Sequence, residues 1–182
     1  MLLHVCCGPC STSVAQSLQN QFKITAYFYN PNIFPYAEWF KRYEAFLEVA
    51  KRGYFVDFFP KQSLTADEYK FQHEKFLKAV KGFETEPEGS KRCFICFRLR
   101  LEETARFTKE LGIDIFGTTL TIGRNKKAEI INPLGQEIAK VYGIKFFEAD
   151  FKKHDGFLKS VKLSKEMNLY RQRYCGCEFS LY

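Results

Sequence analysis

Seven cysteines occupy three short clusters, Cys6-Cys7-Gly-Pro-Cys10, Cys93-Phe-Ile-Cys96 and Cys175-Gly-Cys177, and none lies elsewhere. Buried structural cysteines behave as small hydrophobes and scatter over core positions. Between Cys10 and Cys93 lie 82 residues, and between Cys96 and Cys175 lie 78. Zinc ribbons pair two such knuckles at about 15–20 residues. A site that uses all three clusters therefore has to be assembled by the whole chain.

The chain has 182 residues, of which 46% are hydrophobic. That length and composition predict one globular domain spanning 1–182, able to build a core without disulfide staples. No apolar run approaches the ~20 residues of a membrane span, and the start lacks the basic region of a signal peptide. A cytoplasmic protein with no membrane partner is expected. In that compartment thiols stay reduced, and cysteine clusters bind metal or do chemistry. The odd cysteine count also argues against a complete disulfide framework. Residues 1–90 carry 10 basic and 10 acidic side chains, whereas residues 91–182 carry 18 and 11, so the whole excess of +7 falls in the second half. A basic face is the footprint of a polyanionic partner, or simply a solvated surface.

Apolar patterning reads as strands alternating with helices. Leu2–Cys6, Ile24–Tyr29, Tyr54–Phe59, Asp114–Thr121 and Lys145–Ala149 are expected strands. A helix capped by Ser11 runs to about Gln19. Others are expected over Tyr36–Arg52, over 65–81, after Cys96 as far as Leu111, over Ile130–Tyr142 following Pro133, and from about 150 to Tyr170. This alternation predicts an α/β fold with an open, mostly parallel sheet flanked by helices. Ligands of such sheets bind beyond the carboxyl ends of the strands. Cys6 and Cys7 stand at such an end. Cys93 and Cys96 precede a helix, and Cys175 and Cys177 come late enough to fold back.

Cys7-Gly-Pro-Cys10 matches the active-site tetrapeptide of thioredoxins, where a helix N-terminus lowers the thiol pKa. In thioredoxins, however, a strand and a helix precede the motif, and a thioredoxin has no use for Cys93-x-x-Cys96. The 93–96 pair is a bidentate metal clamp. Zinc and iron–sulfur both remain open. An all-thiolate set suits iron–sulfur better, because no histidine among His4, His73 and His154 is paired with the cysteines at ligand spacing. One glycine between Cys175 and Cys177 allows a small, strained disulfide, which would be labile or catalytic, or alternatively two further metal ligands.

Leu3–Cys10, Tyr29-Asn-Pro-Asn32, Arg92–Arg100, Thr118–Thr121, Asp150–Gly156 and Tyr170–Cys177 together resemble the cobalamin-independent epoxyqueuosine reductases, the QueH family, in order along almost the whole chain. The resemblance implies two-electron reduction of the epoxide of epoxyqueuosine in tRNA, giving queuosine at the anticodon wobble position. It also implies a [4Fe-4S] cluster, a nucleotide-binding α/β fold of the HUP type and an external electron donor. By the same resemblance Cys6, Cys7, Cys93 and Cys96 are the cluster ligands, and Cys175 with Cys177 is the redox-active disulfide. Neighbouring strand residues point to opposite faces, so Cys6 and Cys7 can serve one cluster only if the strand has ended there. Otherwise Cys7 and Cys10 are the better pair. Asp155 or Asp150 is a candidate to release the epoxide oxygen by proton donation or to hold a further mononuclear iron, and Cys10 is a candidate for the same task. Tyr29, Phe34 and Tyr36 are candidates to stack on an extruded base, or core residues.

Two other functions compete. A tRNA thiolation enzyme of the same fold would carry a Ser-Gly-Gly-rich phosphate loop where Cys-Cys-Gly-Pro-Cys stands. A zinc-stapled RNA-binding module would hold zinc and no sulfide.

Overall fold

Leu2–His4 form β1, the central strand of a five-stranded sheet, with Leu2 and Leu3 both fully buried. Neighbouring residues of a strand face opposite sides. Leu2 joins the core with Phe97, Leu101, Ile131 and Ile138, and Leu3 the core with Val14, Trp39, Tyr43 and Phe46. Burial on both faces explains the unbroken apolar run at the start of the chain. The structure, a computed structural model, describes residues 1–180.

The other strands are β2 (Thr25–Tyr27), β3 (Asp57–Phe59), β4 (Ile115–Thr118) and β5 (Lys145–Phe146). Their order is β3-β2-β1-β4-β5 and every pairing is parallel. The helices are α1 (Gly8–Leu18), α2 (Tyr36–Ala50), α3 (Ala66–Ala79), α4 (Lys91–Glu110), α5 (Ala128–Tyr142) and α6 (Gly156–Glu166). Helices α1 and α2 cover one face of the sheet, and α4 and α5 the other. The α/β class is as expected, with a sheet that is wholly parallel. The chain winds outward from β1 to β3, then returns to β4 on the other side of β1. That reversal opens a crevice between the carboxyl ends of β1 and β4.

Several boundaries differ from the sequence expectation, and most of the differences lie at this edge. Strand β1 ends at His4 rather than Cys6, because the Cys6 amide donates to the Thr119 hydroxyl (3.1 Å). Strand β4 gives way after Thr118 to a 3-10 turn at Leu120–Ile122. Helix α1 begins at Gly8, not after Ser11: the Cys7 sulfur accepts from the Cys10 amide (3.3 Å) and is the cap, and Pro9 sits in the first turn, where no donor is needed. Gly8 is required by packing. A Cβ there would lie 2.3 Å from the carbonyl oxygen of Ala45 in α2. Helix α4 starts at Lys91, so Cys93 and Cys96 lie within it, one turn apart and on one side. Helix α5 starts at Ala128 and contains Pro133. Strand β5 is only two residues long. Helix α6 begins at Gly156, behind a turn in which His154 and Asp155 adopt positive φ.

Candidate metal and thiol centre

The first cysteine knot occupies the crevice between β1 and β4. Thr119 accepts from the Cys6 amide and donates its hydroxyl to the Cys6 sulfur (3.3 Å). Asn30, at the end of β2, donates to the Val5 carbonyl (2.9 Å), so the ends of three strands are tied together. Because β1 has ended, Cys6 and Cys7 turn to the same place. Their sulfurs are 4.0 Å apart, and those of Cys6, Cys7 and Cys10 all lie within 4.8 Å of one another.

This proximity splits the acidities of the three thiols. Hydrogen bonds from Cys10 and then Cys7 hold the Cys6 thiol well below its ordinary range, and Lys126 and Arg100 add to the effect. Hydrogen bonding to Cys6 and Cys7 pushes Cys10 well above it, and burial pushes Cys7 up to about 12. Cys6 is thus the favoured thiolate of the knot.

The other two knots meet each other. Cys93, Cys96, Cys175 and Cys177 line one small cavity with Lys126. Cys93 also packs in the buried cluster that contains Cys6 and Cys7, whereas Cys96 packs with Cys177. Burial raises Cys96 to about 11 and Cys177 to about 12. All seven cysteines are free. Cys6, Cys10 and Cys175 share the wall of a larger cavity of about 340 Å³, within the size range of small-molecule sites.

Positive charge surrounds the sulfur. The larger cavity is lined by Arg42, Arg100, Arg124, Lys126, Arg171 and Arg173, against one carboxylate, Glu88. Arg100 is buried; it donates to Asn30 Oδ1 (2.5 Å), and its Nε has no partner. Burial works against the charge on Lys126, but negative charge on the sulfurs of Cys175 and Cys6 outweighs it and raises its pKa. Among the described residues neither cation has a carboxylate partner. Arg100, a buried cation without such a partner, is stabilised by an anion. Cys6, Cys7 and Cys10 offer three sulfurs within reach of one metal ion, and metal-bound thiolates carry the negative charge that such walls balance.

The structure does not gather every candidate. Asp155 is exposed at the start of α6 and is absent from the cavity wall. Asp150 accepts from the Lys152 amide and lines a separate cavity with Ser13 and His154. Tyr29 stacks on Tyr27, Phe34 on His73 and Tyr36 on Trp39; Tyr29 is buried and Phe34 exposed, and none of the three lines the larger cavity.

The family model described as "Epoxyqueuosine reductase QueH" matches residues 1–182. The chain belongs to the QueH epoxyqueuosine reductase family. It is 40% identical over 185 residues to epoxyqueuosine reductase QueH of Streptococcus pyogenes serotype M1, covering 99% of this chain and 69% of that one. It is 38% identical over 183 residues to the QueH of Thermotoga maritima, covering 100% of this chain and 90% of that one. The QueH of Staphylococcus epidermidis is 37% identical over 185 residues, with 99% and 75% covered.

Within QueH terms, the motifs that carried the resemblance supply much of the cavity wall. Asn30 and Asn32 come from Tyr29–Asn32, Arg100 from Arg92–Arg100, and Gln172 with its neighbours from Tyr170–Cys177. Gln172 donates to the Cys7 sulfur (3.1 Å). Of the wall residues, sequence reasoning named only Cys6, Cys10 and Cys175 as site residues, and the cations show why the others escaped it. Arg124 and Lys126 were visible only as part of the basic excess. Arg42 had no signal, since it reads as an ordinary helical partner of Glu38.

Proposed function

We propose that the chain reduces the epoxide of epoxyqueuosine in tRNA, at the anticodon wobble nucleotide, to give queuosine. The epoxide takes two electrons and two protons, its oxygen leaves as water, and an alkene remains. The observation that supports this most is the cavity itself, which brings sulfur from the first and last knots to one cationic wall. Cys6, Cys7, Cys93 and Cys96 would hold a [4Fe-4S] cluster. When bound, such a cluster supplies electrons and an iron able to polarise oxygen.

The chain's own groups would do the rest. Cys175 and Cys177 would close to a disulfide, giving up two electrons and two protons, the number the epoxide requires, and an external donor would reopen them. Cys10 lines the cavity, whereas Asp155 is exposed and lies outside it, so Cys10 suits proton donation better. Cys10 is also the candidate ligand for a further mononuclear iron. The basic wall would hold the RNA while the base is extruded into the cavity. The strand order accords with a HUP-type nucleotide-binding fold. On this reading the chain acts as one domain in the cytoplasm.

Anaerobic purification followed by iron, sulfide and zinc analysis is the direct test. About four irons and four sulfides per chain are expected, together with reduction of epoxide-containing tRNA. Stoichiometric zinc without sulfide would overturn the proposed chemistry.

A further inference from the structure

The cations of the larger cavity differ in how they are held. Arg42 pairs with Glu38, Arg100 bonds Asn30, and Lys126 sits among the sulfurs. Arg124 and Arg171 have none of these partners. Both guanidinium groups lie over the ring of Phe157 in α6, with Cζ at 5.0 Å for Arg124 and 6.0 Å for Arg171 from its centroid. Arg171 is further oriented through one nitrogen, Nη1, which donates to Ser164 Oγ (2.8 Å) and more weakly to the Ser160 carbonyl (3.4 Å). Both serines are buried. Its Nε and Nη2 make no hydrogen bond to a described residue.

The outer arginines of α4 show the contrast. Arg98 is neutralised by Glu102 and Glu137, and Arg106 by Glu103 and Glu110. Arg124 and Arg171 have no carboxylate partner among the described residues. An arginine that is oriented yet left with an unbalanced charge and a free donor edge is preorganised for a bidentate anion, and phosphate matches that fork. The platform is also tied to the sulfur site. Helix α6 packs on α1, and Ser13 of α1 donates to the Gly156 carbonyl (3.1 Å). Helix α1 in turn begins at the Cys7 cap.

We infer that Arg124 and Arg171, stacked on Phe157, form a phosphodiester clamp that grips the RNA backbone beside the nucleotide entering the cavity. Because α6 and α1 pack together, the clamp fixes the span between that phosphate and the cysteine knot. It thereby sets which nucleotide reaches the sulfur. The clamp rests on the proposed action on RNA.

The test is equilibrium binding of a fluorescein-labelled anticodon stem–loop RNA at several salt concentrations. Arg124→Gln, Arg171→Gln and the double variant are compared with wild type. Lys162→Gln, on α6 with Phe157 but paired with Glu166, is the control. Each clamp variant should weaken binding about three- to tenfold at moderate salt. Each single variant should also flatten the slope of log Kd against log salt by about 0.7, the value for one phosphate contact on a single strand, and the double variant by about 1.4. Lys162→Gln should leave the slope unchanged. Clamp variants whose slopes equal that of wild type would overturn the assignment. Arg124 is exposed, so Arg124→Gln carries the test if Arg171→Gln loses its fold. An arginine-dependent slope in a protein that does not reduce the epoxide would leave the clamp standing and remove the proposed activity. Epoxide reduction with unchanged slopes would remove the clamp alone.

Discussion

Arg42 donates through Nη1 to the carbonyl oxygen of Cys175 at 2.9 Å, tying the middle of α2 to the last cysteine knot. The same guanidinium gives Nη2 to the Tyr174 carbonyl (3.2 Å) and Nε to Glu38 (2.7 Å), and the Tyr170 hydroxyl completes Glu38 (2.6 Å). The buried Arg42 is therefore a bracket for the whole terminal segment. Gly176 allows the approach: its φ is +113°, and a Cβ there would lie 2.8 Å from Arg42 Nη1.

Arg42→Ala should release that segment. Two carbonyls and Glu38 would lose their partner in a partly buried setting, at a cost of about 1–3 kcal/mol. Alkylation of Cys175 and Cys177, followed by mass spectrometry, should accelerate well before global unfolding. Unchanged labelling rates would mean that the tail is held by other contacts.

Cys175→Ser and Cys177→Ser separate two roles that the geometry permits, since both sulfurs share a cavity with Cys93 and Cys96. As members of a redox pair, each should abolish turnover and leave the visible spectrum of the purified protein intact. Loss of the spectrum together with the activity would make them ligands instead.

Gly8→Ala should destabilise the protein without touching any sulfur. The new Cβ would meet the Ala45 backbone, which cannot yield as a flexible side chain can, so α1 and α2 must separate. A loss of about 1–3 kcal/mol is expected for such overpacking, read as a lower denaturation midpoint. Displacing α1 also moves the Cys7 cap, so metal content should fall with it.

His4 makes stability depend on pH. Burial, followed by the charge on Arg100, lowers its pKa to about 3 from the usual 6.5. It accepts or donates between Thr118 Oγ1 (2.9 Å) and the Tyr29 carbonyl (3.0 Å), which fits a neutral ring with the proton on Nε2. The unfolded chain takes up this proton first as pH falls below 6.5. The stabilisation is therefore complete above 6.5 and is lost progressively toward 3, by up to about 1.4 kcal/mol per pH unit. His4→Gln should flatten the loss of Tm between pH 6.5 and 5, a window above most carboxylate titrations. Parallel curves for the two proteins would contradict the buried neutral histidine.

The α/β alternation and a buried strand at the start of the chain are legible in the sequence alone, as is the grouping of the seven cysteines in three clusters. Each of these is written in local signals: apolar periodicity, turn residues after strands, and thiols grouped at ligand spacing. The chain also disclosed its family, because several motifs recur together in order. Tertiary structure alone decided where the strands stop and what surrounds the sulfur. Strand β1 ends at His4 because Thr119, 115 positions beyond it, takes the next free amide but one, that of Cys6. Arg42 looks like a surface partner of Glu38 until the fold lays Cys175, 133 residues away, against it. Asp155 sits in a motif with the right chemistry, yet the turn before α6 points it outward. Hydrogen bonds and charge act over a few ångströms in space, whatever the separation along the chain, so these partners became visible only once the chain had closed on itself.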